Sequence, residues 1–167
     1  MIPIAMAMDD ANRRRMAGLP IMREEDVLRG VITTCARHDL WSETLPLVDA
    51  LPDAAKPILA QCIGDVTTEQ LLSAVKTAAV SDNIPVLVDI ALAQDVAGRQ
   101  RILDIIDGMD DLDEFVAALT SETPAEVWTA LVELRDEIPE KLRALLADRA
   151  QTCGQEDCAA GLRTTAG

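Results

Sequence analysis

The sequence contains one histidine, and a cysteine stands three residues before it. Cys35 and His38 would share one face of a helix, where a thiolate and an imidazole could both bind Zn²⁺. Cys153 and Cys158 could supply the other two ligands of a tetrahedral site. The four residues lack the close pairing typical of zinc modules, and a helical cysteine commonly serves as a small apolar side chain. We therefore predict no metal site and assume no disulfide.

The most acidic stretch of the chain invites a calcium hypothesis, because Ca²⁺ prefers carboxylate oxygens. Its acids are Asp104, Asp107, Asp110, Asp111, Asp113 and Glu114. Their spacing does not match the loop of an EF-hand. Asp111 and Glu114 also have the spacing of a helix cap, which is a structural explanation for two of the six. We predict no calcium site.

Catalytic motifs are missing from the sequence. His38 is the single histidine, there is no tyrosine, and neither a Gly-x-Ser-x-Gly motif nor a phosphate-binding glycine loop occurs. Paired carboxylates are numerous, but their positions are typical of solvated helix faces. We expect a protein that is not an enzyme and has no cofactor.

Basic residues recur in three segments that begin near residues 54, 97 and 139, although the chain as a whole is acidic. They are Lys56, Arg99, Arg101, Lys141 and Arg143. On one surface they would form a positive strip able to bind an acidic helix or peptide, and we take them as candidate partner-binding residues. The alternative is ordinary pairing with neighbouring acids such as Asp53, Asp95 and Glu137.

Trp41 and Trp128 are two of only three aromatic residues. Tryptophan is enriched in binding hot spots, so an exposed one would be a site candidate. In a chain with so few aromatic side chains, we predict instead that both are buried and anchor the packing of the helices.

A sequence repeat with a period of 44 residues predicts the helices that carry these candidate residues. Residues 25–31, 69–75 and 113–119 align without a gap, and their leucine, valine and alanine residues recur at helical spacing. The pattern predicts helices near residues 24–38, 41–51, 54–63, 67–80, 83–93, 97–107, 111–121, 124–135 and 139–150, which form three groups of three. In the first copy, Gly30 is expected to let a neighbouring helix approach closely.

Recurring caps mark the helix ends. Three pairs have the spacing of a capping box, namely Thr67 with Gln70, Asp111 with Glu114, and Thr123 with Glu126. Pro124 and Pro139 are expected at the first helical position, and Pro57 could begin its helix. The third helix of each group ends before a glycine suited to a left-handed turn: Gly64, Gly108 and Gly154.

Three-helix units of this length resemble armadillo repeats, and HEAT repeats are close in size. The resemblance covers residues 24–150 and is one of architecture. It implies a right-handed α-solenoid of about three repeats and nine helices, with third helices lining the concave side. The third helices here contain no asparagine, so the asparagine ladder by which armadillo repeats bind peptides is not implied.

Composition limits the domain organisation. The chain has 167 residues, of which 49% are hydrophobic and 2% aromatic, so one helical core of aliphatic residues is expected. We predict a loosely ordered arm over residues 1–20, a helical repeat domain over 21–151 and a flexible tail over 152–167. No basic residue precedes the apolar run at the N-terminus, so we do not expect a secretion signal. We predict a cytoplasmic protein.

The formal net charge of −14 disfavours direct binding to nucleic acid or anionic membranes. The sequence therefore predicts a non-enzymatic adaptor or scaffold that binds another protein with a basic or mixed-charge surface. The alternative is an acidic chaperone, inhibitor or nucleic-acid mimic that occupies a basic cleft of its partner.

Overall fold

Aliphatic residues at helical spacing make this chain an all-α protein, as predicted. The structure, a computed structural model, describes residues 10–51 and 55–164, and every regular element in these two ranges is helical. The α-helices, numbered α1 to α11, are Asp10–Ala17, Glu25–His38, Trp41–Asp49, Lys56–Gly64, Thr68–Val80, Ile84–Leu92, Val96–Asp107, Leu112–Ala117, Ala125–Glu133, Glu140–Thr152 and Glu156–Arg163. A short 3-10 helix covers Pro20–Arg23. Each of the nine predicted helices overlaps one of α2 to α10.

The chain divides after Asp95 into two compact units, which differs from the one repeat domain predicted over residues 21–151. In the first unit, α2 packs against α4, α3 against α5, and α4 against α6. In the second unit, α10 packs against α7, α8 and α11, and α11 also packs against α9. Helix α1 occupies part of the predicted N-terminal arm, whose residues 1–9 lie outside the described part of the chain.

Both tryptophans are buried, which confirms the prediction. Trp41, at the start of α3, is 1% exposed, and Trp128, in α9, is 0% exposed. Neither indole N–H has a hydrogen-bond partner among the described residues. The apolar area of each ring, and not its polar group, therefore stabilises its unit.

One of the three predicted capping boxes forms. At the start of α5, the Thr67 hydroxyl accepts from the Gln70 N–H, and the Gln70 side chain accepts from the Thr67 N–H at 2.9 Å. The other two predictions are wrong. Asp111 makes no side-chain cap to α8, and Thr123 Oγ1 accepts from the Thr120 N–H at 2.8 Å. That bond closes a turn after α8, which ends earlier than predicted.

Proline positions follow the prediction closely but not at every site. Pro57 lies in the first turn of α4, which begins at Lys56. Pro124 and Pro139 stand one residue earlier than predicted, at the N-cap positions of α9 and α10 with ψ of 142° and 144°. The extended backbone of these two prolines directs the chain into the helix that follows.

Left-handed residues close three helices, but only one of them is a predicted glycine. Gly154, after α10, has φ of 77°, whereas Gly64 and Gly108 do not have positive φ. Asp39 after α2 and Asp82 after α5 have φ of 54° and 57°. Asp tolerates this region better than most residues because of its short polar side chain. Each turn is completed by a bond typical of a helix C-terminus: Leu40 N–H to Cys35 O, Asn83 N–H to Ala78 O, and Gln155 N–H to Ala150 O.

Helix α11 lies within residues 152–167, the segment predicted as a flexible tail. Ala159 and Leu162, three residues apart on α11, are both 0% exposed. A Cβ added at Gly161 would lie 2.8 Å from Val132 Cγ1 of α9, so the missing side chain permits the close contact. The expected close approach at Gly30 is wrong, since a Cβ there would meet nothing within 4 Å. Gly161 thus serves packing within α11.

In the part of the chain that the structure describes, every helix is too short or too polar to cross a membrane.

Candidate functional site

The first candidate cation, Lys56, is paired with an acid of its own unit. Its Nζ lies 3.1 Å from Asp89 Oδ2, which joins α4 to α6. The Lys56 side chain is 30% exposed. The pairing predicted from neighbouring acids therefore occurs, although Asp53, the acid named for it, lies outside the described residues.

Arg99, on α7, forms a bidentate ion pair with Glu137. Its Nε and one terminal nitrogen donate to the two carboxylate oxygens at 2.8 and 2.9 Å. The two side chains are 18% and 28% exposed. Such a partly buried, two-pronged pair fixes the segment between α9 and α10 against α7, which is a structural role.

The remaining three candidates lie in the same unit as Arg99. Arg143 donates to the backbone oxygen of Arg135 at 3.5 Å, Lys141 is exposed, and Arg101 is half-buried. Because α7 and α10 pack against each other, four of the five predicted cations belong to two neighbouring helices. Arg99 and Arg143 bond to groups of the second unit, so the four cations are not all available for a partner.

The residues considered for zinc do not form a metal site. Cys35 is 0% exposed, and burial raises the pKa of its thiol to about 11, whereas His38 is exposed. Cys153 and Cys158 are half-buried free thiols at the end of α10 and within α11. No three His, Cys, Asp or Glu side chains of the described residues are placed to hold a metal ion, the acidic stretch of α7 and α8 included.

A cleft of about 200 Å³ lies between α2 and the segment that joins α4 to α5 in the first unit. Its lining consists of Arg29, Thr33, Ala36, Arg37, Cys62, Asp65, Val66 and Gln70. The three polar residues of α2 stand four apart, so they form one row about 12 Å long on the helix surface.

One end of the cleft is neutralised within the fold. The guanidinium of Arg29 donates to Asp65 and, at 3.0 Å, to Glu25 Oε1. These bonds, with that to Asp65 the stronger influence, raise the pKa of Arg29. At the wall, Cys62 is 3% exposed, and burial raises the pKa of its thiol although Arg29 opposes the shift. The cysteine therefore contributes a neutral group.

The other end of the cleft has donors that the fold does not use. Arg37 and Thr33 are exposed, and neither side chain has a bonding partner among the described residues. Gln70 uses its side-chain oxygen for the helix cap, which leaves its amide N–H groups without a partner in the described part of the chain. Sequence reasoning missed this site, although the spacing of Arg29, Thr33 and Arg37 could have indicated a polar row.

Exposed carboxylates without ion pairs are concentrated in the second unit. Residues 96–167 contain 15 acidic and 7 basic residues, against 14 and 8 in residues 1–95. The exposed acids of the second unit that have no ion-pair partner among the described residues are Asp104, Asp110, Asp113, Glu114, Glu122, Glu126, Glu133, Glu140, Glu156 and Asp157. This unit therefore carries the stronger negative field.

Comparison with known proteins supplies no relative. The chain matches no protein-family model, no curated protein and no solved structure.

Proposed function

We propose that this protein is a non-enzymatic protein–protein interaction module, an adaptor or scaffold that binds a segment of a partner on a helical-repeat surface. The observation that carries the proposal is the set of exposed carboxylates without ion pairs in the second unit. Such groups contribute little to stability, and they favour a partner with a basic or mixed-charge surface. The proposal includes no catalytic group, cofactor, metal, nucleic acid or membrane. Four free thiols suit a reducing compartment, so we place the protein in the cytoplasm.

The repeat architecture is part of the proposal. We infer a right-handed, armadillo- or HEAT-like α-solenoid with the 44-residue period. In the first copy α2 packs against α4, and in the third copy the corresponding helices α8 and α10 also pack together. The left-handed residues Asp39 and Asp82 close the first helix of the first two copies. These equivalences support a repeated unit.

The same carboxylates favour a second candidate. An acidic chaperone, an inhibitor or a nucleic-acid mimic would place them in a basic cleft of its partner. Glu126 and Glu133 are both exposed on α9, seven residues apart, and so lie on one face. This candidate requires most of the affinity to come from charge, so binding should weaken steeply with salt.

The test begins with crosslinking in an extract of the native host, followed by affinity measurements with the purified partner. The acidic variant is Glu122→Gln with Glu126→Gln and Glu133→Gln. A matched control in the first unit is Glu24→Gln with Asp26→Asn and Glu69→Gln, which changes the net charge equally. We expect the acidic variant to weaken binding by about tenfold and the control by less than about twofold.

Two results would count against the interaction module. One is the failure to recover a protein partner across several salt conditions. The other is equal binding by the acidic variant and its control, which would mean that total charge and not the second unit matters. A loss of all binding between 50 and 500 mM salt would favour the second candidate.

A further inference from the structure

The cleft of the first unit offers hydrogen-bond donors that the fold leaves unused. Arg37, Thr33 and Gln70 all line it, and none of these three side chains donates to another described residue. A guanidinium, a hydroxyl and a primary amide can all donate to one oxyanion. These three side chains therefore present hydrogen-bond donors to an acceptor group in the cleft.

The charged residues that line the cleft favour an anionic ligand, although the protein as a whole is acidic. Asp65 and Glu25 form ion pairs with Arg29, whereas Arg37 forms no ion pair with any described residue. The Cys62 thiol at the wall is neutral at physiological pH because burial raises its pKa. The guanidinium of Arg37 is therefore the positive group of the cleft that no ion pair of the described residues engages.

The volume of the cleft and its apolar lining limit which anions it can bind. A space of about 200 Å³ admits one side chain of moderate length but not a large cofactor. Ala36 and Val66 supply apolar wall, which suits methylene groups next to a charged end. The net charge of −14 repels a phosphate dianion more strongly than a single carboxylate.

We propose that this cleft binds the carboxylate of a glutamate or aspartate side chain on a partner protein. Arg37, Thr33 and Gln70 donate to the carboxylate, and the methylene groups of the ligand contact Ala36 and Val66. The inference rests on the proposed function in one respect, since it takes the carboxylate from a partner segment. It identifies a site different from the predicted strip of Lys56 and the second-unit cations.

The test titrates the isotope-labelled full chain with a blocked pentapeptide that contains one glutamate between alanines, followed by NMR. A peptide with glutamine in place of glutamate is the ligand control. We expect shifts of the Thr33, Arg37 and Gln70 resonances and a millimolar dissociation constant for the glutamate peptide only. Arg37→Gln should weaken binding by at least about tenfold, and Thr33→Val by about threefold.

The matched protein control is Arg163→Gln, which makes the same substitution at an exposed arginine of the second unit. It should leave the affinity within about twofold of the original. Equal binding of the glutamate and glutamine peptides, or equal effects of Arg37→Gln and Arg163→Gln, would overturn the proposal. Acetate that binds as tightly as the peptide would also overturn it, because no side chain would then be recognised.

A second copy of the chain is the competing occupant. Sedimentation of the purified protein should show no self-association through this cleft. A self-association that Arg37→Gln abolishes would contradict the choice of a partner protein. Failure of the peptide titration leaves the test of the second-unit carboxylates intact, since that test uses different residues and a different partner chemistry.

Discussion

The two units use their arginines in different ways. In the second unit, Arg99 is paired with Glu137, and Arg149 donates to the backbone oxygens of Leu119 and Ala117 at 2.6 Å each. In the first unit, Arg29 is paired, while Arg37 has no partner among the described residues. A count of cations cannot distinguish these roles, because only the surroundings decide whether a guanidinium completes the fold or remains available to a ligand.

The contrast extends to the contacts of small residues. Gly161 in the second unit lies against Val132, whereas a side chain at Gly30 in the first unit would enter open space. The second unit thus gains stability from close packing around α11, and the first keeps a helix face that tolerates change.

The largest expected effect comes from the buried tryptophans. Trp128→Ala should lower the free energy of unfolding by about 3–5 kcal/mol, because the loss of a fully buried ring leaves a cavity. Hydrogen exchange should show the greatest loss of protection in residues 96–164. Trp41→Ala should have a comparable effect in residues 10–95. Equal losses in both ranges for both variants would remove the basis for treating the units separately.

Arg149→Met should lower stability by about 2 kcal/mol, because two backbone oxygens at the C-terminal end of α8 lose a charged donor while the apolar stem is kept. Thermal or urea unfolding monitored by circular dichroism measures the change. The control is Arg163→Met, which removes an exposed ion pair to Asp148 and should cost less than about 1 kcal/mol. If both variants lose the same stability, Arg149 has no special structural role.

The same substitution at the two glycines should have opposite signs. Gly161→Ala should destabilise by about 1–2 kcal/mol because its methyl group would overlap with Val132. Gly30→Ala should stabilise by about 0.5–1 kcal/mol, since alanine favours an exposed helix interior and meets no neighbour. Urea midpoints of the two variants provide the comparison. Val132→Ala should reduce the cost of Gly161→Ala, and an unchanged cost would contradict the proposed contact.

Much of the helical organisation could be predicted from the sequence. The nine helices, the capping box of Thr67 and the burial of both tryptophans depend on local spacing and on composition. Two predicted capping boxes failed because the same residue types also stabilise turns, as Thr123 does after α8. Helix α11 was not predicted, although Ala159 and Leu162 have the spacing of an apolar face.

The candidate site was much less predictable. The five cations were identified by recurrence along the chain, but recurrence does not reveal which acid each one meets. Lys56 pairs with Asp89, which lies 33 positions along the chain, and the cleft depends on α2 lying beside the segment between α4 and α5. Recurrence along the sequence does not determine which residues share a surface, because that depends on how the helices pack within each compact unit.

The sequence by itself determined where helices form, because a helix depends on backbone bonds between residues four apart and on apolar periodicity. It also determined the net charge and the composition of the core. Only the tertiary structure decided which charges are neutralised, since the decisive pairs join residues 33 to 38 positions apart. Such pairing depends on how helices pack, and that is why Arg99 is paired with Glu137 while Arg37 has no partner among the described residues.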